Sequence, residues 1–165
     1  MERKLFIIRH GKSSWEDEGL DDIDRPLAER GIRNADTMAR RLKEAGEVPG
    51  LIFTSPANRA LSTAMIMARI WEMNPVAVQV HDDLYMADES EIEEVVGEAP
   101  DSVSHLAIFG HNPSFTLYAN KFLDEPLDNL PTAGVVVVTM ESDHWYGIGR
   151  PAVKSVRVDY PKLKH

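Results

Sequence analysis

Short apolar runs alternate along this chain with stretches whose apolar residues recur every three or four positions. Leu5-Phe6-Ile7-Ile8 is the first run, and four consecutive apolar residues read as a strand buried on both faces. A helical stripe follows at Ala28, Ile32, Ala35, Ala39 and Leu42. Pro26 is expected to open that helix, Gly31 to weaken its first turn so that regular helix starts nearer Ile32, and Gly46 to stop it. Residues 51–54 form the second apolar run, and Ser55-Pro56 then suits an N-cap with proline at the first helical position. The helix so opened carries Arg59, Leu61, Ala64, Ala68 and Trp71.

The alternation continues to the C-terminus. Residues 76–80 predict a third strand, about 90–98 an acidic helix and 106–109 a fourth strand. Asn112 and Pro113 are placed to cap and begin a helix bearing Phe115, Leu117, Tyr118 and Phe122. Residues 134–140 make a strong strand and 155–160 an edge strand, while 16–24, 124–131 and 141–151 read as loops. Buried strands alternating with helices predict an α/β fold: a three-layer sandwich with a mainly parallel central sheet and helices on both faces. The C-terminal part lacks a clear crossover helix, so one strand there is expected to run antiparallel.

Composition narrows the picture. A chain of 165 residues fits one domain, spanning 1–165, and buries roughly 70% of its unfolded surface. No apolar run approaches the ~20 residues of a membrane span, and the four-residue run after Glu2, Arg3 and Lys4 is too short for a secretory core. There is no cysteine, which excludes disulfides, thiolate metal sites and a cysteine nucleophile, and cytoplasmic residence is the default expectation. The net charge of −9 argues against nucleic acid as a partner. It also means that any anion site must be a local concentration of cations.

Such a concentration is visible at three strand ends. The first strand stops at Arg9-His10-Gly11, the second feeds the helix bearing Arg59, and the fourth stops at Gly110-His111-Asn112-Pro113. In a parallel sheet these ends share one edge, the edge where ligands bind. Arginine and histidine there point to an anion, a phosphate above all. His81, His105, His144 and His165 have no supporting motif and read as structural or surface residues.

The ordered set Arg9-His10-Gly11, Ser55-Pro56-Ala57-Asn58-Arg59-Ala60 and Gly110-His111 resembles the histidine phosphatase superfamily, also called phosphoglycerate mutase-like. The form Arg-His-Gly-Lys-Ser-Ser-Trp, with Asp24-Arg25-Pro26-Leu27 and Arg30-Gly31, resembles its small SixA-like phosphohistidine phosphatase branch. The resemblance covers nearly the whole chain. It implies the phosphoglycerate mutase-like fold and a hydrolase that needs no metal or other cofactor. His10 would be the nucleophile, Arg9 and Arg59 the phosphate clamp, and His111 a second catalytic histidine on the opposite side. Ser13 and Arg25 would stand at the pocket rim to bind substrate, although an ion pair with Asp22 or Asp24 accounts for Arg25 equally well.

Residues 85–89 lie where many family members keep a general acid, but the acid motif of the mutases is missing. Solvated positions account better for Asp88 and Glu89, with Ser90 capping the helix that follows. A labile P–N bond needs little help from an acid, so the expected substrate is a phosphohistidine protein. A small phosphorylated metabolite, phosphoglycerate mutase activity and a non-catalytic phosphate-binding module are the alternatives. A metallohydrolase fits less well, because two histidines without a set of carboxylates make a poor dinuclear site. The pocket walls are expected from loops 12–25, 82–90 and 141–151.

Overall fold

The computed structural model describes residues 1–163. Its core is a six-stranded sheet: β1 (Glu2–Arg9), β2 (Leu51–Thr54), β3 (Val78–Val80), β4 (His105–Gly110), β5 (Val135–Glu141) and β6 (Val153–Asp159), in the order β3-β2-β4-β1-β5-β6. β1, β2, β3 and β4 pair in parallel. β5 runs against both β1 and β6, so the expected reversed strand is the penultimate one.

Among the described residues four α-helices cover the sheet: α1 (Glu29–Glu44), α2 (Asn58–Ile70), α3 (Glu89–Gly97) and α4 (Ser114–Asn120). Strand side chains alternate between faces. Phe6 and Ile8 of β1 join Ala35, Met38, Ala64 and Met67 of α1 and α2 in one cluster. Leu5 and Ile7 join Ile92, Val95, Phe115 and Tyr118 of α3 and α4 in the other. The three layers follow, and Leu5 to Ile8 are fully buried, as a doubly covered strand requires.

Several local expectations are corrected. Helix α1 begins at Glu29, upstream of Ile32 and beyond Pro26. Gly31 belongs to its first turn because a Cβ there would lie 2.3 Å from the Lys12 carbonyl oxygen. What the sequence presents as a weak helical residue is a packing requirement. Pro26 instead precedes Leu27, which bridges to Ser13, while Ser14 N–H donates to the Pro26 carbonyl. Gly46 stops α1 as expected, with φ of 73° and the paired closing bonds from Gly46 and Glu47 to the carbonyls of Lys43 and Leu42.

Helix α2 starts at Asn58 with Ala57 at its cap, so Ser55 and Pro56 lie outside it. Asp88, rather than Ser90, caps α3, in a reciprocal box with Glu91. Helix α4 starts at Ser114, one residue beyond Pro113. Asn112 still serves its first turn, since Oδ1 accepts from the Thr116 N–H at 3.2 Å.

Candidate phosphate site

β1 ends at Arg9, and the chain passes through His10 to Gly11, whose backbone abuts Gly31. The Gly11 N–H donates to Thr63 Oγ1, and that hydroxyl donates to the Arg59 carbonyl, tying this turn to α2. His10 is 7% exposed, and its Nδ1 lies 2.6 Å from the Gly11 carbonyl oxygen. A carbonyl only accepts, so Nδ1 carries the hydrogen and Nε2 of the neutral ring keeps its lone pair. Burial pulls this imidazole down to about 4; Arg59 and Arg9 push the same way, against the Gly11 carbonyl and Asp22.

His111 follows β4 directly, and its ring centroid lies 5.3 Å from that of His10. Its Nε2 is 2.7 Å from Ser55 Oγ, a hydroxyl that also accepts from the Ala57 N–H. Burial first, then the charges of His10 and the arginines, lower His111 to about 3. Arg9 donates through Nη1 to the Leu130 carbonyl at 2.9 Å, and burial lowers its pKa as well. Among the described residues, Arg9 Nε and His111 Nδ1 are buried without a hydrogen-bond partner. Unsatisfied polar atoms of this kind are uncommon in a folded interior. Two at one strand edge are capacity for an incoming polar group.

Arg59 is the second residue of α2 and reaches back to the loop 12–25. It donates through Nη1 to the Asp22 carbonyl oxygen at 2.8 Å and through Nη2 to Asp22 Oδ2 at 3.0 Å. Tyr85 Oη donates to the same Oδ2 at 2.7 Å, and Arg25 Nη2 donates to Oδ1 at 3.0 Å. These partners, Tyr85 foremost, hold the Asp22 carboxyl down at about 2, so it is an anion at neutral pH. The Arg25 guanidinium also lies 3.3 Å from the Trp15 ring centroid. A cavity of about 500 Å³ opens here, lined by Asp22, Arg59, Tyr85, Met86, His111 and Ser114 among others. The Tyr85 ring meets His111 edge to face at 5.7 Å.

Arg9, His10, Arg59 and His111 therefore converge, and Arg25 joins them through Asp22. Ser13 is half-buried in its bridge to Leu27 and makes no hydrogen bond to these groups among the described residues. Asp88 is exposed and occupied as a cap, and neither it nor Glu89 lines the cavity. The loop 141–151 is not a wall of this pocket. Because β5 runs antiparallel, Glu141 pairs with Glu2 at the opposite end of β1, and the loop packs there instead. Buried Arg3 anchors it through the carbonyls of Ser142 and Asp143.

Reversal of β5 brings the preceding loop to the site, where the Ala133 N–H donates to the His10 carbonyl at 2.9 Å. Sequence reasoning missed this loop and the central place of Asp22. The proximity of Arg25 to Asp22 in sequence is the one signal of it. Among the other histidines, His81 lies 4.2 Å from the Phe53 ring, His105 contacts the Val48 carbonyl, and His144 pairs with Asp101. His165 lies outside the described residues. No group of three or more histidines and carboxylates among the described residues is placed to share a metal ion.

Residues 5–97 match the family model of the histidine phosphatase superfamily, branch 1. An uncharacterised protein of Mycobacterium tuberculosis is 28% identical over 148 residues, covering 84% of this chain and 89% of that one. A 2,3-bisphosphoglycerate-dependent phosphoglycerate mutase of Tropheryma whipplei is 37% identical over 73 residues, 41% of this chain. An uncharacterised chloroplastic protein of Arabidopsis thaliana is 42% identical over 65 residues, 39% of this chain. The matches span about a third of the length of the mutase and of the chloroplastic protein, at 33% and 30%. Among solved structures, one assigned as phosphohistidine phosphatase SixA of Nakamurella multipartitia superposes with a TM-score of 0.83 at 19% identity, covering 99% of this chain and 98% of that one. The protein histidine phosphatase SixA complexed with tungstate superposes at 0.73 with 21% identity, over 96% and 97% of the two chains. With more than half of its length matched by the family model and the two histidines and two arginines gathered at one sheet edge, this chain belongs to the histidine phosphatase superfamily.

Proposed function

We propose that the protein is a phosphatase acting through a phosphohistidine intermediate on His10, with histidine-phosphorylated proteins as its substrates. The observation that carries the reading is the His10 Nδ1–H bond to the Gly11 carbonyl, in a ring kept neutral by burial. Nucleophilic attack on phosphorus needs that tautomer, with Nε2 bearing the lone pair. Arg9 and Arg59 stabilise the charge on the equatorial oxygens, which is the main catalytic demand of phosphoryl transfer. The unpartnered Arg9 Nε and His111 Nδ1 are the atoms that the phosphoryl oxygens would satisfy. His10 Nε2 attacks the phosphorus while the P–N bond of the substrate breaks and its imidazole leaves. Water then attacks the phosphorus and loses a proton, the P–N bond to His10 breaks, and inorganic phosphate leaves.

The choice of substrate rests on the carboxylates near the cavity, none of which, among the described residues, is placed as a proton donor. Asp22 is held as an anion and Asp88 is committed to its helix. An alkoxide leaving group needs a proton donor, whereas the imidazole of a phosphohistidine departs readily as a neutral base when its other ring nitrogen carries a proton. The likeness to SixA proteins supports the same choice.

The test is a panel of a histidine-phosphorylated protein, an aryl phosphate, a phosphoserine peptide and 3-phosphoglycerate, assayed with chelator present. Phosphohistidine is expected to give the highest kcat/KM, and His10→Ala to lose activity by a factor of about 10³ or more. Faster turnover of the serine phosphate, or isomerisation of 3-phosphoglycerate, would overturn the substrate assignment.

A further inference from the structure

A second, smaller cavity of about 280 Å³ is lined by Arg30, Asn34, Thr132, Tyr160 and Lys162 among others. Three pinned segments build it. Arg30 is in the first turn of α1, beside Gly31, whose backbone abuts Lys12. Thr132 lies between Leu130, which accepts from Arg9, and Ala133, which donates to His10. The wall at 160–162 is held by Arg41, which donates to the carbonyls of Tyr160 and Pro161. Two segments of the cavity wall thus adjoin residues whose backbone meets Arg9 or the His10 turn: Gly31 beside Arg30, and Leu130 and Ala133 on either side of Thr132.

Its charge is unusual for this molecule. With 27 acidic residues against 18 lysines and arginines, cations on this surface readily find carboxylates. Arg25, Arg33, Arg40, Arg41 and Arg59 all do so. Among the described residues, Arg30 and Lys162 form no ion pair. The cavity therefore presents uncommitted cations, with the Asn34 amide and the Thr132 and Tyr160 hydroxyls beside them.

We propose that this cavity is a docking subsite for an acidic side chain of the phosphorylated protein, a carboxylate close to the phosphorylated residue. The proposal rests on the reading of a phosphoprotein substrate given above. The field of a chain with net charge −9 repels acidic partners, so any preference for acidic sequence has to come from a local feature of this kind.

The test uses two phosphohistidine peptides, one with aspartates flanking the phosphorylated residue and one with asparagines, as competitors of p-nitrophenyl phosphate hydrolysis at low ionic strength. The aspartate peptide is expected to inhibit at about fivefold lower concentration, the size that two partly exposed ion pairs supply. That ratio should fall to one or below in the Arg30→Ala/Lys162→Ala double variant and in high salt. Arg69→Ala, which removes a cation remote from the cavity, should leave it unchanged. Equal inhibition by the two peptides, or a ratio undiminished in the double variant, would overturn the proposal. Peptide turnover is read separately: failure to release phosphate contradicts the substrate assignment, while the inhibition ratio still decides the docking subsite.

Discussion

At the scale of single residues, the site is a contest for guanidinium donors. Asp22 accepts one hydrogen bond from Arg59 on its backbone carbonyl, and its surface carboxylate accepts three more, from Arg59, Arg25 and Tyr85. A phosphoryl group approaching Arg59 must share or displace that carboxylate, and the two anions repel each other. Asp22→Asn keeps the shape and removes the charge. It should tighten binding of inorganic phosphate by about three- to tenfold, read by calorimetry or as product inhibition. Weaker binding in the variant would mean that Asp22 organises the arginines more than it competes with the ligand. Arg25 shows how far residue-level reasoning from sequence reaches. Phosphate rim and ion-pair partner stood equal there, and both of its available carboxylates lie in one loop. Only the fold shows that the pairing with Asp22 connects Arg25 to Arg59.

At the scale of elements, the legible parts were those in which local pattern and tertiary role agree. β2 matches its apolar run to the residue, and Gly46 closes α1 with the positive φ that favours glycine. Legibility failed where a residue serves a distant partner. Gly31 reads as a helix weakener, yet it lies in the first turn of α1 because the Lys12 backbone passes too close for a side chain. Ser55 reads as an N-cap, yet its hydroxyl meets His111, 56 positions away. Contacts of that separation leave no periodic trace in the sequence. Gly31→Ala should cost about 2 kcal/mol or more, read as a lower denaturant midpoint, because backbone on both sides of the contact must shift. It should also lower kcat, since the displaced segment carries the His10 turn. A variant of unchanged stability and activity would show that α1 yields without cost.

At the scale of the whole molecule, strand direction decides which loops meet. Parallel β1, β2 and β4 carry Arg9, Arg59 and His111 to one edge, and this much was readable from the alternation of elements. That a C-terminal strand reverses was expected from the missing crossover helix, but which strand does so was not readable, because short antiparallel and parallel strands share one apolar signature; the observed reversal is that of β5. It removes the loop 141–151 from the site and delivers Leu130 and Ala133 in its place. Placing two histidines in that enclosed edge also has a consequence for stability. Their folded values of about 4 and 3 lie below the ordinary 6.5, so the unfolded chain binds protons that the folded chain does not. Stability should therefore be full above pH 6.5 and decline as pH falls toward 4, His10 alone accounting for on the order of 3 kcal/mol. Chemical denaturation at pH 7 and pH 4.5 measures this, and a His10→Ala variant should show a smaller decline. The central claim concerns one covalent bond. Rapid acid-free quenching of the enzyme with phosphorylated substrate, followed by mass spectrometry, should find an acid-labile phosphoryl group on His10 during turnover and none in His10→Ala. Turnover with His10 unmodified, or with the phosphoryl group on His111, would contradict the account.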